Sequence, residues 1–277
     1  MKPESITDLD DPRLAEYRTL KATNQTRDLD HFVVEGAKLV ERLLASRFPT
    51  VSVLVTDRRL SRLAAIVPDD VPVYVMPFEK IHELVGFPFH QGVLGCGRRL
   101  PWPDWRSLWS DAAESPSRDP ADSKPLTLVV CPKISNPENL GSIDRLGDVF
   151  GIDGVLTGPS CPDPLSRRVL RVSMGSTLRV PILVSNQLPT LADEIEAALG
   201  LTFLAAVADR DAEPFEAAGR PRRLALILGD EAEGVDPEWV ARSARAITIP
   251  MPGGANSLNV STAAAILLYH FTKRTRS

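Results

Sequence analysis

Two polar side chains in the second half of the chain have the types and spacing of a binding or catalytic site. Asn139 and Arg145 follow a segment in which Ser135 and Glu138 form the S-x-x-E pattern of a helix cap. Pro137 favours a first helical turn, so the pattern predicts a helix that carries Arg145 about two turns in. A guanidinium can bind phosphate through a fork of hydrogen bonds, and an amide can both donate and accept. Alone, the segment is equally compatible with a capped helix and a surface arginine.

A second segment places a glycine-bracketed loop after an apolar strand. Residues Leu226–Leu228 are apolar, and Gly229 and Gly234 enclose a loop that contains Glu231. Glycines adopt positive φ angles and let backbone approach a ligand closely. The loop has neither the G-x-G-x-x-G of a dinucleotide site nor the Gly-Lys-Ser/Thr of a P-loop. Alone, it is no more than weak support for a ligand site.

A third segment joins a Pro/Gly-rich loop to an apolar helix. Ile249–Gly254 follows a predicted strand, and Ser257–Ser261 leads into a helix predicted over Thr262–Tyr269. Asn256 or the serine after it is expected to cap that helix. Asn259 is costly at the start of an apolar helix unless its amide is satisfied, which favours a polar site over simple capping.

Hydrophobic patterning predicts two α/β domains that position these segments. Residues 11–100 alternate short strands with amphipathic helices. Residues 101–124 are rich in Pro, Ser, Asp and Ala and predict a linker. The domain predicted at 125–277 begins with Leu126–Val130, an apolar run typical of a buried parallel strand, and continues around a mostly parallel sheet.

Three tryptophans of the predicted linker have helical spacing: Trp102, Trp105 and Trp109. They could form a platform on which nucleic-acid bases stack. A short helix packed on one of the domains is the favoured interpretation, because tryptophans contribute large apolar surface to a core.

Bulk properties exclude several classes of protein. The 277 residues are 43% hydrophobic and 25% charged, which argues against wholesale disorder. The net charge of -4 argues against nonspecific coating of nucleic acid. Neither the acidic N-terminus nor Ala263–Tyr269 could span a membrane, so a cytoplasmic protein is expected. Cysteines without a CxxC pair and histidines without ligand spacing predict neither disulfides nor a metal site.

In their order along the chain, the three segments resemble the SpoU/TrmH-type RNA ribose methyltransferases of the SPOUT superfamily. The matching patterns are N-x-G-x-x-x-R, then G-x-E-x-x-G, then I-P-M followed by S-L-N-V-S, over residues 136–270. Arg171–Gly175 and Val180-Pro181 fit the family's R-x-S-x-G and V-P patterns. Phe32–Gly36 and Gln91–Leu94 are similar to parts of its substrate-binding domain, which resembles a small ribosomal RNA-binding protein.

This resemblance implies a fold, a reaction and two partners. The fold is a C-terminal α/β trefoil-knot domain with a mostly parallel sheet, preceded by the small α/β substrate-binding domain. The reaction is methylation of a ribose 2'-hydroxyl of ribosomal or transfer RNA, with S-adenosylmethionine as cofactor and no metal. The partners are RNA and a second copy in a homodimer, which the almost wholly apolar C-terminal helix also favours.

Matched positions in the resemblance assign the site residues. The catalytic positions are Asn139, Arg145, Ser257 and Asn259. The cofactor positions are Leu228, Gly229, Glu231, Gly234, Ile249, Met251 and Leu258. With RNA as the implied substrate, a basic run without acidic residues supplies predicted RNA contacts at Arg167, Arg168 and Arg171, although a solvated helix face is the simpler interpretation of the run alone.

The role of Arg145 stays open between two alternatives. The family view makes this arginine the general base, but a guanidinium with a pKa above about 12 is a poor base. Gripping the neighbouring phosphate is an equally good role. Asp144 departs from the uncharged residue usual in the family and could alter how Arg145 is held.

Two other functions compete with this interpretation. One is a noncatalytic RNA-binding or antibiotic-resistance protein on the same fold, which the retained polar residues argue against. The other is a Rossmann-type methyltransferase or dehydrogenase, which would need a glycine fingerprint after the first strand of either domain.

Overall fold

The computed structural model describes residues 2–18, 30–63, 65–86, 90–114, 124–253 and 257–273. The strands in these ranges are β1 (Pro3–Ser5), β2 (His31–Glu35), β3 (Thr50–Val55), β4 (Val73–Val75), β5 (Val93–Arg98), β6 (Leu126–Cys131), β7 (Gly154–Thr157), β8 (Ile182–Val184), β9 (Thr202–Ala206), β10 (Glu213–Pro214), β11 (Arg223–Ile227) and β12 (Arg245–Thr248). The α-helices are α1 (Ala15–Arg18), α2 (Ala37–Leu44), α3 (Asp57–Leu63), α4 (Phe78–Val85), α5 (Trp105–Glu114), α6 (Pro137–Phe150), α7 (Arg167–Val172), α8 (Leu188–Leu199), α9 (Pro237–Arg242) and α10 (Val260–Thr272).

The chain forms two compact units. The first unit comprises Met1–Pro101 and Asp163–Arg179, and the second comprises Trp102–Pro162 and Val180–Ser277. The segment that contains α7 therefore groups with the first unit, although it follows β7 in sequence. This grouping differs from the contiguous domain predicted at 125–277.

The first unit is built on a five-stranded mixed sheet in the order β1-β4-β3-β5-β2. β1, β4 and β3 are parallel, whereas β5 is antiparallel to both β3 and β2. Gly97 of β5 admits the ring of Phe32, because a Cβ there would lie 2.5 Å from its Cζ. The buried Tyr17 hydroxyl is satisfied at 2.8 Å by Ser52. The alternating strands and helices predicted here are confirmed.

The second unit is built on a seven-stranded sheet in the order β10-β12-β9-β11-β6-β7-β8, with every pairing parallel. All six residues of β6 are buried, as expected for a parallel strand covered on both faces. The prediction of a mostly parallel sheet is confirmed. The strand order brings β11 between β9 and β6, so the end of β11 adjoins the ends of two strands that lie earlier in the chain.

Two of the three tryptophans of the predicted linker, Trp105 and Trp109, belong to α5, a helix of the second unit, and Trp102 precedes it. Trp105 and Trp109 are 5% and 6% exposed and join the core cluster that contains Leu126 and Phe203. Gly154 makes room for Trp109, because a Cβ there would lie 2.6 Å from a ring carbon of that side chain. The helix interpretation is confirmed, and a stacking platform at these two rings is excluded by their burial. The linker residues 115–123 lie outside the described residues.

Three arginines attach the segment Asp163–Arg179 within the first unit. Arg167 pairs with Glu35 of β2, and Arg99 pairs with Asp163. Arg42 of α2 donates to the carbonyl oxygen of Met174. These links join residues 64 to 132 positions apart in sequence, so local patterning could not have predicted them.

No helix within the described ranges is long and apolar enough to cross a membrane. In the same ranges, no group of three or more His, Cys, Asp or Glu side chains is arranged to hold a metal ion. Cys96, Cys131 and Cys161 are buried and not disulfide-bonded.

Candidate active site

The three segments predicted to carry chemistry meet at one edge of the second unit's sheet. α6 follows β6, the glycine-bracketed loop follows β11, and α10 follows β12 after the Pro/Gly-rich loop. β6 and β11 are hydrogen-bonded neighbours and parallel, so their carboxyl ends lie side by side. Open α/β sheets bind ligands at this edge.

Asn259 is the N-cap of α10. Its Oδ1 accepts hydrogen bonds from the backbone nitrogens of Ser261, at 2.9 Å, and Thr262, at 3.2 Å. The cap therefore falls after Ser257, so the expectation of a cap at that serine is wrong, and Asn256 lies outside the described residues. A cap needs one acceptor only, which leaves the amide nitrogen of Asn259 for other partners.

The Asn259 amide nitrogen joins the three segments. Nδ2 donates to Oδ1 of Asn139 at 3.0 Å and to the Glu231 carboxylate. Asn139 is 4% exposed, and no described residue accepts from its own amide nitrogen. The argument that a polar partner must satisfy Asn259 is confirmed. Asn139 retains a donor that can serve a ligand.

The loop between Gly229 and Gly234 closes on itself through backbone hydrogen bonds. The nitrogens of Asp230 and Gly234 each donate to the other residue's carbonyl oxygen at 2.9 Å. A Cβ at Gly229 would lie 2.2 Å from the Gly234 carbonyl group, and Gly234 has a φ of +72°. Both positions require glycine, because a side chain would collide at the first and strain the backbone at the second.

Asp230 is held by backbone donors on both carboxylate oxygens. Oδ2 accepts from the Ser135 nitrogen at 2.8 Å, and Oδ1 accepts from the Ala232 nitrogen at 3.0 Å. The bond from Ser135, followed by that from Ala232, lowers the pKa of this carboxyl below its usual value. The sequence interpretation assigned this residue no role.

A cavity of about 480 Å³ opens beside the loop. All seven predicted cofactor positions and the predicted catalytic Ser257 line it. The sequence interpretation missed Ala206–Asp209, which line the cavity after β9. This stretch has no motif, and only the position of β9 next to β11 brings it to the site.

Arg145 lies on α6 with its side chain exposed. No described residue forms a hydrogen bond or an ion pair with its guanidinium. The neighbouring Asp144 is fully buried, so the two side chains project in different directions from the helix.

Burial raises the pKa of the Cys131 thiol well above its usual value, and Cys161 and Asp144 act in the same direction. Cys131 is therefore not a ready nucleophile.

The predicted RNA-binding arginines lie on α7 in the first unit. The Arg167 guanidinium donates to one carboxylate oxygen of Glu35 at 2.6 and 3.1 Å, and the Glu35 side chain is 8% exposed. This ion pair gives Arg167 a structural role that the sequence interpretation did not foresee. Arg168 and Arg171 are exposed.

Comparison with known proteins places these observations among characterised sequences and folds. Residues 126–269 match the SpoU rRNA Methylase family. An uncharacterized tRNA/rRNA methyltransferase of Mycobacterium tuberculosis is 34% identical over 99% of this chain and 92% of its own length. The 23S rRNA (guanosine(2553)-2'-O)-methyltransferase RlmP of Bacillus subtilis is 25% identical, over 93% of this chain and 95% of its own. The AdoMet-bound rRNA methyltransferase of Sinorhizobium meliloti has a similar fold, with a TM-score of 0.80, 22% identity and 99% of both chains covered.

Proposed function

The chain belongs to the SpoU rRNA Methylase family, and from this membership we propose how its residues methylate RNA. It is an RNA methyltransferase that uses S-adenosylmethionine and acts on a ribose 2'-hydroxyl of ribosomal or transfer RNA. One observation carries the assignment of roles: the amide of Asn259 bonds to both Asn139 and Glu231 beside the cavity. Residues from three distant segments thereby form one polar site.

The size and lining of the cavity support its assignment to S-adenosylmethionine. Its volume of about 480 Å³ lies within the range of small-molecule sites. Gly229, where a Cβ would collide with the backbone of Gly234, places no side chain at the cavity. Glu231 offers negative charge to a cofactor that carries a positive sulfonium. The residues that we propose hold the cofactor are Leu228, Gly229, Glu231, Gly234, Ile249, Met251 and Leu258.

When bound, the cofactor supplies an electrophilic methyl group, and the protein must aim the acceptor hydroxyl at it. We assign the amide donor of Asn139 and the hydroxyl of Ser257 to the ribose. Asn259 holds Asn139 and Glu231 in place. Correct positioning of two reacting groups can supply several kcal/mol of a reaction barrier, on the order of 7–11 kcal/mol at best. A metal ion has no role in this scheme.

We assign Arg145 to an RNA phosphate next to the reacting ribose. Its guanidinium is exposed and has no partner among the described residues, so its five donors are available. A bidentate contact to phosphate would fix the ribose that follows or precedes it. A guanidinium carries five N–H donors and no acceptor, which disfavours the alternative role of general base.

We further propose that the second unit is tied in a trefoil knot and that the first is an RNA-binding domain resembling a ribosomal RNA-binding protein. Family membership supports both proposals, and the parallel sheet of the second unit is compatible with the knot. The exposed arginines Arg168 and Arg171 add positive charge suited to RNA. We propose that the domain at residues 11–100 binds the RNA substrate, that the domain at residues 125–277 carries out methyl transfer, and that the enzyme works in the cytoplasm.

A homodimer is proposed from the uncovered side of α6 and α10. Val149 and Tyr269 are 60% and 55% exposed, and the rings of Phe150 and Tyr269 are 6.3 Å apart. The opposite face of α10 is buried in the core through Ala264, Leu267 and Phe271. An apolar helix covered on one side only favours a second copy on the other.

Loss and restoration of 2'-O-methylation tests the proposed function. Mapping 2'-O-methylated nucleotides in total RNA of cells with and without the gene should show at least one site that disappears. The purified protein should restore that site from S-adenosylmethionine. An unchanged methylation map in both ribosomal and transfer RNA would contradict the proposal.

A further inference from the structure

Asp230 occupies the unspecified second position of the G-x-E-x-x-G loop, and the roles assigned so far do not use it. The residue is 9% exposed, and backbone N–H groups engage both of its carboxylate oxygens. The bond from Ala232 is local and belongs to the turn itself. The bond from Ser135, at 2.8 Å, joins residues 95 positions apart. Turn formation alone does not require this second bond.

The Ser135 bond reaches the start of the helix that carries Asn139. Ser135 precedes Asn136, which caps α6 by accepting from the Glu138 nitrogen at 2.9 Å. Asp230 therefore attaches the loop that carries Glu231 to the residue just before the N-cap of α6. The amide of Asn259 attaches the same loop and helix through Glu231 and Asn139. Two separate links thus set the spacing between one pair of elements.

Neither of the other contacts of this loop can replace the Asp230 link. The backbone pair between Asp230 and Gly234 shapes the loop but does not attach it to α6. Lys133, between β6 and α6, forms an ion pair at 2.7 Å with Glu233 of the loop. The two side chains are 42% and 68% exposed. Exposed ion pairs are screened by solvent and hold geometry weakly. The buried Asp230 carboxylate is the stronger constraint.

We propose that Asp230 is a positioning residue for methyl transfer, which sets the spacing between Glu231 on the cofactor side and Asn139 on the acceptor side. The inference rests on the proposed function of this site. A misplacement of about 1 Å can cost on the order of a hundredfold in rate. The effect should therefore fall on turnover, while the loop keeps its shape and its cofactor.

Asp230→Asn tests the proposal, because the amide keeps the size of the side chain but turns an N–H group towards one of the two backbone donors. Turnover with a saturating RNA substrate should fall at least about tenfold. The dissociation constant for S-adenosylmethionine, measured by calorimetry, should stay within about threefold. Hydrogen exchange at the Ser135 amide should accelerate, which a general loss of stability would not confine to this position.

Asp236→Ala is the matched control. The Asp236 carboxylate accepts from the Glu238 nitrogen at 2.9 Å and caps α9, so its loss removes a similar bond with no link to α6. This variant should lose thermal stability and keep its turnover. If Asp230→Asn fails to fold, Asp230→Ser, whose hydroxyl can accept one of the two bonds, replaces it in every measurement.

Three results would overturn the proposal. The first is unchanged turnover of Asp230→Asn with an exposed Ser135 amide. The second is an equal fall in turnover and cofactor affinity, which would show that Asp230, a lining residue of the cavity, acts through cofactor binding and not through positioning. The third is an equal loss of turnover in Asp236→Ala. Failure of the wild type to methylate RNA would instead contradict the proposed function, so the two failures are distinguishable.

Discussion

Arg145 and Asn259 differ in how the structure prepares them for chemistry. Arg145 is exposed and has no described partner, whereas Asn259 contributes a helix cap and two amide bonds at once. A free cation can bind RNA without first breaking an internal contact. The Asn259 amide instead bonds to both Asn139 and Glu231, so its loss affects both of these residues. The two residues should therefore fail in different ways when replaced.

Arg145→Ala should slow methyl transfer strongly and preserve cofactor binding. The guanidinium leaves no buried partner unpaired, so stability should change little. Methyl transfer should fall at least about a hundredfold, the scale of a lost positioned catalytic group. Calorimetry with S-adenosylmethionine measures cofactor binding, and turnover on RNA measures methyl transfer. Arg145→Lys keeps the charge and loses the planar fork, so its turnover should also fall. Near-normal turnover of Arg145→Ala would contradict the assignment of Arg145 to methyl transfer.

Asn259→Ser separates the cap of α10 from the amide links. Serine caps a helix about as well as asparagine, so thermal stability should drop by less than about 1 kcal/mol. Its hydroxyl cannot replace the donor that serves both Asn139 and Glu231, and turnover should fall at least about tenfold. Asn259→Ala should add a cap loss of about 1 kcal/mol. Thermal unfolding and turnover are measured for the wild type, Asn259→Ser and Asn259→Ala. Wild-type turnover in Asn259→Ser would show that Asn259 serves only as the cap of α10.

At the scale of elements, α7 combines two arginines with different surroundings. Arg167 neutralises a Glu35 side chain that is only 8% exposed, while Arg171 on the same helix is exposed and has no described partner. The run of basic residues looks uniform in sequence. Only packing against β2 makes one of them part of the fold.

Arg167→Ala and Arg171→Ala should therefore behave differently. The first leaves a largely buried carboxylate without its ion partner and should cost about 1–3 kcal/mol in chemical denaturation. The second should leave stability unchanged but weaken RNA binding and reduce its salt slope by about one. Titrations with RNA at several salt concentrations provide the measurement. A weaker RNA complex for Arg167→Ala at full stability would restore its predicted role as an RNA contact.

At the scale of the whole molecule, the chain passes between the two units three times. It leaves the first unit after Pro101, returns at Asp163 and leaves again after Arg179. Buried side chains of the returning segment include Leu165, Val169 and Leu170. A protein cut at residue 124 would keep this segment and lose the unit with which it groups. The second unit is therefore a poor candidate for independent expression.

A fragment of residues 124–277 should be less stable than the full chain. Each of the larger apolar side chains exposed by the cut forfeits on the order of 1.5–3 kcal/mol. We expect a lower unfolding temperature in calorimetry, weak methylation of RNA and cofactor binding only where the fragment stays folded. The full chain at the same concentration is the reference. A fragment as stable as the full chain would show that the segment Asp163–Arg179 folds without the first unit.

Val149→Glu should convert the proposed dimer to a monomer. The charge would enter an apolar face of α6 and α10, where burial of an unpaired carboxylate is strongly unfavourable. Ile66→Glu is the matched control, because Ile66 is also partly exposed, at 38%, but belongs to the first unit. Sedimentation equilibrium at micromolar concentration distinguishes the outcomes. A wild type that is monomeric at that concentration would contradict the dimer itself.

The sequence by itself determined the class of fold, the elements that carry the motifs and some of the residues that line the cavity. Glycine loops and strand patterns depend on neighbouring residues, so they are readable along the chain. The caps were misplaced, because Asn136 and not Ser135 caps α6, and Asn259 and not Ser257 caps α10. It could not determine which side chains meet. The bonds from Asn259 to Asn139 and from Ser135 to Asp230 span 120 and 95 positions. They form because the tertiary structure places β11 beside β6 and β9, and no local pattern encodes that strand order. Tertiary structure likewise decided three further features: the cavity lining by Ala206–Asp209, the burial of Trp105 and the grouping of Asp163–Arg179 with the first unit.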